Sequence, residues 1–451
     1  MVDVSEMSEQ PTNLLDWMYQ DKAAADIFSL ESTYRNWVKV EVSLARSQCA
    51  KGIISSHELE LIEELDKAEM PEMASFHASA LNVGYPIIAL IAHLNSQLHP
   101  DARGVLHVGA TTQDIMDTAI ALQVHEAGAL LLSRVEQLGQ ALKTLVLKHG
   151  ETIMPGRTHA QHAVPTTFGL KCAIYLSEID RHRTRIRTSV SEAARISLYG
   201  AAGTSAAMGE HANEIRSDMA KRLGLIDEIV PWHVSRDRLI EVSNHCANLC
   251  VTLVRMAREI IDLSRNEIDE VYEPGGHHKG ASSTMPQKRN PVMSEAIIGL
   301  GLQAIGQGQM MFRAGESGHE RAAGEWQLEW KALPEVFINS ITATHVTVEM
   351  IAGLGVNVER MRENIKIHNG SIMSEAYMIE LSRSLGREKA HDAVHEASRI
   401  SSAEHISLED SLIRVLPEVK TTIAKWPLSA TDYIGNSKSI CAQVIDQWNE
   451  D

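Results

Sequence analysis

Three polar islands interrupt a chain otherwise rich in helix formers. The densest, GASSTMPQKRNPVMSE, spans 280–295. It carries paired hydroxyls (Ser282 and Ser283), a Lys-Arg pair and Asn290. Serine is a feeble base, so Ser282 or Ser283 acts as base or nucleophile only where donors stabilise its alkoxide. Gly280 and exposed loop amides are candidate donors, and Lys288 and Asn290 suit a substrate carboxylate. The GxxxxGK[ST] pattern of a phosphate loop is absent. The plainer reading is a flexible linker, which leaves this density of donors without a purpose.

The second island, HVGATTQDIMDT, covers 107–118. Thr111 and Thr112 follow a glycine and lead into a helical pattern, where hydroxyls and free amides can bind a carboxylate. Ordinary capping by Thr112 or Asp114 is the competing explanation. The third, PGRTHAQHAVPTT, covers 155–167. His159 and His162 are three residues apart and on a helix would share a face. No third ligand lies nearby, so a metal is not favoured, and His159 is better placed as an acid/base group titrating near neutrality. A satisfied structural histidine is the alternative.

The elements that must position these islands are helical. Aromatic residues make up only 4% of the 451 residues and apolar residues 44%. That balance suits helix bundles better than sheets. The span 232–273 contains no proline or glycine, and Leu239, Val242, Cys246, Leu249, Leu253, Met256, Ile260 and Leu263 form one stripe. As a single helix it would approach about 60 Å. Further long helices are expected over 115–149, over 166–229 with a break at Gly200 and Gly203, and over 292–333. Glycines in the last span cost helix stability but permit close contacts. The expected organisation is an all-α protein with an N-terminal helical domain (1–110), a central long-helix bundle (111–355) and a C-terminal helical domain (356–451). The candidate catalytic loop is 275–291. Stripes this long favour oligomerisation through the bundle.

The net charge is −17, which disfavours nucleic acid and anionic membranes as partners. No signal peptide or apolar run of membrane-spanning length is recognised, so a cytoplasmic location is expected. Five scattered cysteines do not suggest a disulfide framework. Cys246 and Cys250 lie one helical turn apart, and buried thiols are favoured there over a metal site.

The segment from Ser282 to Asn290 fits the SSxMPxKxN signature of the fumarase/aspartase superfamily. GATTQD resembles that family's first motif and GRTHAQHAVPTTFGLK its second, in the right order. The resemblance extends over essentially the whole chain. It implies a three-domain helical homotetramer with a twenty-helix core, whose active sites each combine three motifs from three subunits. It also implies cleavage of C–N or C–O bonds in small dicarboxylate or succinyl-adduct substrates with release of fumarate, needing no metal or cofactor. By position, Ser282 matches the catalytic base, His159 the general acid of the adenylosuccinate lyase branch, and Glu295 the carboxylate orienting that histidine. Lys288 and Asn290 match substrate-carboxylate ligands. Thr111, Thr112, Thr158, Gln161, Ser283 and Met285 fall at further substrate-contacting positions, and Arg236 and Arg321 are additional candidate anion contacts.

Two branches compete. PTTFGLK and the histidine of RTHAQHA look like adenylosuccinate lyase. PWHVSRDR, GHERAAGEWQLEWKALPE and AADIFS look like bacterial 3-carboxy-cis,cis-muconate cycloisomerase. Adenylosuccinate lyases typically carry glutamine where Trp232 stands, and bacterial cycloisomerases often carry tryptophan where His159 stands. The leading expectation is a fumarate-releasing lyase, the second a cycloisomerase, and the third an inert scaffold, against which the intact Ser282, His159 and Glu295 argue.

Overall fold

The 3.6-residue stripes predicted by the sequence become helices, and the breaks between them carry the islands. The computed structural model describes residues 13–276, 279–282, 284–285, 287–321, 324–420 and 429–450. Among these are six N-terminal helices: α1 Leu14–Tyr19, α2 Lys22–Ile27, α3 Leu30–Cys49, α4 Ser56–Glu63, α5 Met73–Val83 and α6 Pro86–Gln97. The long helices follow as α7 Thr112–His149, α8 Phe168–Ala193, α10 Asp237–Leu263, α11 Val292–Ala314 and α12 Glu325–Ala352, with the shorter α9 Ala212–Leu223 between α8 and α10. The chain continues as α13 Val358–Lys366, α14 Ser374–Leu385, α15 Arg387–Glu404, α16 Leu408–Val415 and α17 Ser437–Glu450. Besides short 3-10 turns, four short strands are described: β1 Ile153–Thr158 pairs with β2 Gln161–Thr167, and β3 Val271–Tyr272 with β4 Gly355–Val356.

The long helices depart from their expected lengths for identifiable reasons. The 232–273 stripe is helical only from Asp237 to Leu263, about 40 Å. It stops because the Glu270 amide turns back to the Leu263 carbonyl and Asp269 adopts a left-handed backbone, φ 52°. The 166–229 span breaks at Ala194, before the glycines, where Ile196 and Ile226 bond their backbones to the neighbouring segment. The 292–333 span breaks between Ala314 and Glu325 instead of at the helical glycines of α11. One of those, Gly308, does permit close packing: a Cβ there would stand 2.9 Å from Ala247 Cβ.

By contacts the chain forms two compact units, each drawn from three segments. The first takes residues up to 135, 182–253 and 299–345. Its core joins Val38, Val42 and Leu44 of α3, Ile87, Leu90 and Leu94 of α6, Ile115 and Ala119 of α7, and Ile215 and Met219 of α9. The second takes 136–181, 254–298 and 346 onward, with a core of Ile372, Tyr377, Leu381, Ala390, Val394, Leu408 and Leu412. By length and composition α7 could cross a bilayer, but 61% of the qualifying window is buried inside the protein, as in a core helix.

In the second unit α7 and α17 meet at Gly139, where an added Cβ would sit 2.0 Å from the Trp448 ring. Gly139→Ala should therefore lower the apparent melting temperature by several degrees, a cost of about 1–3 kcal/mol from overpacking. Trp448→Leu in the same chain should recover part of the loss. Thermal melts followed by circular dichroism test this, and a single variant as stable as wild type contradicts the contact.

Candidate active site

The loop before α11 holds Ser282 in a backbone cradle. Ser282 Oγ accepts hydrogen bonds from the Thr284 amide at 3.3 Å and the Met285 amide at 3.2 Å. The loop is pinched at its neck. Ala281 bridges Arg289, and the Asn290 amide donates to the Gly280 carbonyl at 2.8 Å. Only glycine fits position 280, since φ is +69° and a Cβ would stand 2.5 Å from the Asn290 carbonyl oxygen. Within the loop the Lys288 amide returns to the Met285 carbonyl. Met285, Lys288 and Arg289 are exposed and Ser282 is half-buried. Ser283 lies outside the described residues.

Both ends of this loop are tied by one carboxylate. Glu273 Oε2 accepts from the Met293 amide at 3.0 Å, while Oε1 accepts from the Ser294 amide at 2.7 Å and its hydroxyl at 2.6 Å. These are otherwise unpaired donors of the first turn of α11. Pro291 precedes that turn and offers no capping side chain, so the helix borrows an acid from 20 residues upstream. Negative charge at a helix start is stabilising in its own right.

The third island is a β-hairpin, not a helix turn, so His159 and His162 do not share a helix face. β1 and β2 are joined by the two residues His159 and Ala160. Both have positive φ, 49° and 61°. Hairpin turns of this kind normally use Asn-Gly, and a non-glycine residue pays roughly 1–2 kcal/mol in that region. His159 therefore stands at a strained, exposed tip, flanked by exposed Thr158 and Gln161. His162 lies lower on β2, edge-on to His368 at 5.3 Å between centroids. Burial, with Arg157 and His368 adding to it, lowers its pKa from the usual histidine value.

The hairpin is anchored beneath its tip. Arg157 makes a bidentate pair with Glu270 at 2.7 and 2.9 Å. The Glu270 side chain is fully buried and also accepts from Asn364 Nδ2 at 2.8 Å. A bidentate guanidinium–carboxylate pair fixes orientation as well as distance.

The second island, in the first unit, is a structural joint. Asp114 is fully buried. Its carboxylate accepts from the amides of Thr111, Tyr199 and Gly200 and from His233 Nε2, at 2.8–3.0 Å. Thr111 and Thr112 are held at the start of α7 by this hub. Arg236, expected as an anion contact, is committed elsewhere. All five of its N–H donors are satisfied by Asp117, Glu329 and the Trp232 carbonyl. Its position is a correction to the expected role: no donor remains for a substrate. Arg321, by contrast, is only half-buried and bonds neutral groups, Gln113 Oε1 at 2.8 Å and the Ala201 carbonyl at 3.5 Å. Gln113 in turn donates to the His233 carbonyl. Arg321 is thus brought beside the second island with its charge unpaired among the described residues.

Other expected pairings are not made within one chain. Glu295 is exposed on the first turn of α11, and neither its carboxylate nor the His159 ring makes a hydrogen bond to a described residue. Asn290 is held through its backbone, and Gln161 Nε2 reaches only the Ala160 carbonyl. Cys246 and Cys250 are buried thiols, the latter donating to Ser340 Oγ at 3.3 Å; burial pushes Cys250 up to about 12.

Sequence reasoning missed Glu273, Glu270 and Asn364. Glu273 had a signal, an acid just before Pro-Gly-Gly and a following helix without its own cap. Glu270 and Asn364 had none, because their partners are distant in sequence. Glu273→Ala should loosen the loop: trypsin cleavage after Lys288 or Arg289 in the native protein should rise about tenfold, the effect of ~1.4 kcal/mol on local opening. Glu273→Gln should fall between, and equal cleavage of all three proteins counts against the staple.

Known proteins resemble this chain along most of its length. A profile described as a lyase family matches residues 18–306. The 3-carboxy-cis,cis-muconate cycloisomerase of Pseudomonas aeruginosa is 33% identical over 440 residues, 96% of each chain. The N-acetyl-S-(2-succino)cysteine lyase of Dickeya dadantii is 31% identical over 423 residues, 93% of each chain. The crystal structure of a fumarate lyase from Mesorhizobium sp. BNC1 superposes with a TM-score of 0.89 at 32% identity, covering 97% of this chain and all of that one. With these matches running through all three islands, the chain belongs to the lyase family of the fumarase/aspartase superfamily and is an enzyme of the fumarate-lyase-like or cycloisomerase type.

Proposed function

We propose that this enzyme cleaves a C–N or C–O bond of a substituted aspartate or succinate by β-elimination, releasing fumarate. Ser282 is the base and His159 the acid. The observation that carries the reading is the pair of loop amides on Ser282 Oγ. A hydrogen bond to the charged form favours that form, so these amides make the alkoxide less costly. Ser282 takes the proton from the carbon next to a carboxylate. The electron pair left behind spreads into that carboxylate as an aci-dianion, which Lys288, Asn290 and the loop amides stabilise. The pair then forms the C=C bond as the leaving group departs with a proton from His159, held by Glu295. Loop closure excludes water during these steps.

The exposure of Thr158, His159, Gln161, Met285, Lys288 and Glu295 in one chain supports a site completed by further copies, in a homotetramer with shared active sites. Thr111, Thr112 and Arg321 belong to the same assembly on this reading, as anion contacts. Exposed Leu147, Ile174, Val251, Leu302 and Phe312 on the long helices supply apolar surface for such contacts.

A second reading is favoured by a specific observation, the similarity to a cycloisomerase along 96% of the chain. That reaction uses the same proton chemistry and joins a carboxylate to a double bond in one molecule. His159 favours elimination, because a departing nitrogen or oxygen needs a proton and a titratable tip supplies it.

Fumarate formation from a panel of succinyl adducts, followed by ultraviolet absorbance, tests the proposal. Loss of the muconate chromophore without fumarate would move the assignment to the second reading. Ser282→Ala should lower kcat at least about a thousandfold, the scale of losing a general base with its oxyanion setting, at unchanged subunit assembly. An active Ser282→Ala enzyme would sink the role of Ser282. His159→Asn should lower kcat by about a hundredfold for amine leaving groups and less for acidic ones; equal rates for all substrates would remove His159 from the reaction.

A further inference from the structure

The first unit contains a cavity of about 260 Å³ that none of the proposed chemistry uses. Its wall is unusual for this chain. Aromatic residues are scarce overall, yet Phe28, Trp37, Trp326 and Trp330 all face it. Those include three of the seven tryptophans in the protein. The aromatic wall is braced from outside by Tyr85, stacked on Trp326 at 5.8 Å between centroids and edge-on to Trp330 at 6.2 Å. Trp326 and Trp330 meet edge to face at 5.1 Å. Leu30 and Trp330 are the exposed members of the lining and mark the open side.

The polar part of the wall consists mainly of acceptors. Asp117 and Glu329 line the cavity and are almost wholly buried. Both bind the same guanidinium, that of Arg236. Two carboxylates sharing one cation retain one negative charge or one extra proton. Burial raises the Asp117 carboxyl, with Arg236 opposing and the Glu329 charge adding to the rise. Gln123 supplies a further acceptor and is 2% exposed. Its amide group donates to the Ile27 carbonyl at 2.7 Å and Thr33 Oγ1 at 3.1 Å. Its carbonyl oxygen accepts from no described residue. With no donor on it among the described residues, that oxygen is open to a donor bound in the cavity that Gln123 lines.

Aromatic faces, unfilled acceptors and residual negative charge select one ligand class. Anions are repelled by the Asp117–Glu329 edge, so the cavity is no second seat for a dicarboxylate. A neutral apolar molecule leaves the Gln123 oxygen and the charge unmatched. We infer that this cavity binds a small organic ammonium ion with an apolar body, its nitrogen against Gln123 Oε1 and the Glu329–Asp117 edge. The body lies between Trp37, Trp326 and Trp330, where cation–π attraction adds to burial.

Three probes sharing one phenylpropyl body test this on the full-length protein: 3-phenylpropan-1-ammonium, 3-phenylpropan-1-ol and 3-phenylpropanoate. Tryptophan fluorescence reports occupancy directly, independently of turnover and of the proposed reaction. Saturable quenching by the ammonium, at least about tenfold tighter than by the alcohol and absent with the carboxylate, is expected. Glu329→Gln should erase the preference for ammonium over alcohol. Trp330→Leu, at an exposed position that keeps the charge cluster intact, should weaken both by about tenfold and covers the case in which Glu329→Gln does not fold. Equal binding of alcohol and ammonium overturns the inference, as does no binding of the ammonium. It is equally overturned if Trp330→Leu shifts the sedimentation coefficient while leaving ammonium affinity unchanged, since a second copy then covers the cavity.

Discussion

A helix consumes its own amides, and this constraint governs the rest of the molecule. Past its first turn, a helix such as α7, α8, α10, α11 or α12 bonds its N–H groups four residues back, which leaves them unavailable to stabilise charge on a substrate or on a side chain. Chemistry that depends on amide donors has to sit where the helices stop. Ser282 occupies such a stop, with Thr284 and Met285 turning their amides onto its oxygen. The arrangement lasts only while the loop keeps its shape. That is the task of the Gly280–Asn290 neck and of Glu273, which spends its carboxylate on α11. The free amides at the start of one helix thereby hold the geometry of the free amides in the loop before it.

Charge is sorted by the same logic. The protein carries a net charge of −17, yet a dicarboxylate needs a positive setting. Lys279, Lys288 and Arg289 are exposed on the loop and form no ion pair with a described residue. Their field is therefore available to an arriving anion. Arg236 shows the opposite use of a cation: buried between Asp117 and Glu329, over the Trp232 ring at 4.8 Å, it ties α10 to α7 and α12. Arg321 makes only neutral contacts and keeps its charge for other use. The sequence alone gave these two arginines the same role, and only their partners separate them.

The islands, the helical class and the stripe of α10 were legible in the sequence because each rests on local rules: helix period, breaker residues and clustered donors. Where Gly280 and Asn290 meet was partly legible too, since a glycine opens the segment. The places where helices end were less so. α10 stops at Leu263 because of a backbone return from Glu270, not because of proline or glycine. The hairpin under His159 carried no turn signal, because His-Ala is a poor turn sequence, and tertiary contacts override that local preference. Asp114 was weighed as a simple cap; that it also gathers Tyr199, Gly200 and His233 follows from contacts more than 80 residues away, which no local pattern encodes.

The strained hairpin bears on why relatives with different reactions share one frame. The strain at His159 and Ala160 has to be offset below the tip, and Arg157, Glu270 and Asn364 do so with charge-assisted bonds in a buried setting. None of these three touches the tip side chain. The backbone position is thus fixed independently of what residue occupies it, and position 159 can change its chemistry without disturbing the support. On the proposed reading a titratable residue there serves elimination, in which a leaving group must be protonated. A ring closure within one molecule expels no group and makes no such demand. With Ser282 as base and His159 as acid, as proposed, one reaction would give way to the other by a change at the tip alone. A fumarate lyase of the same fold and a cycloisomerase resemble this chain to a similar degree, 32% and 33% identical.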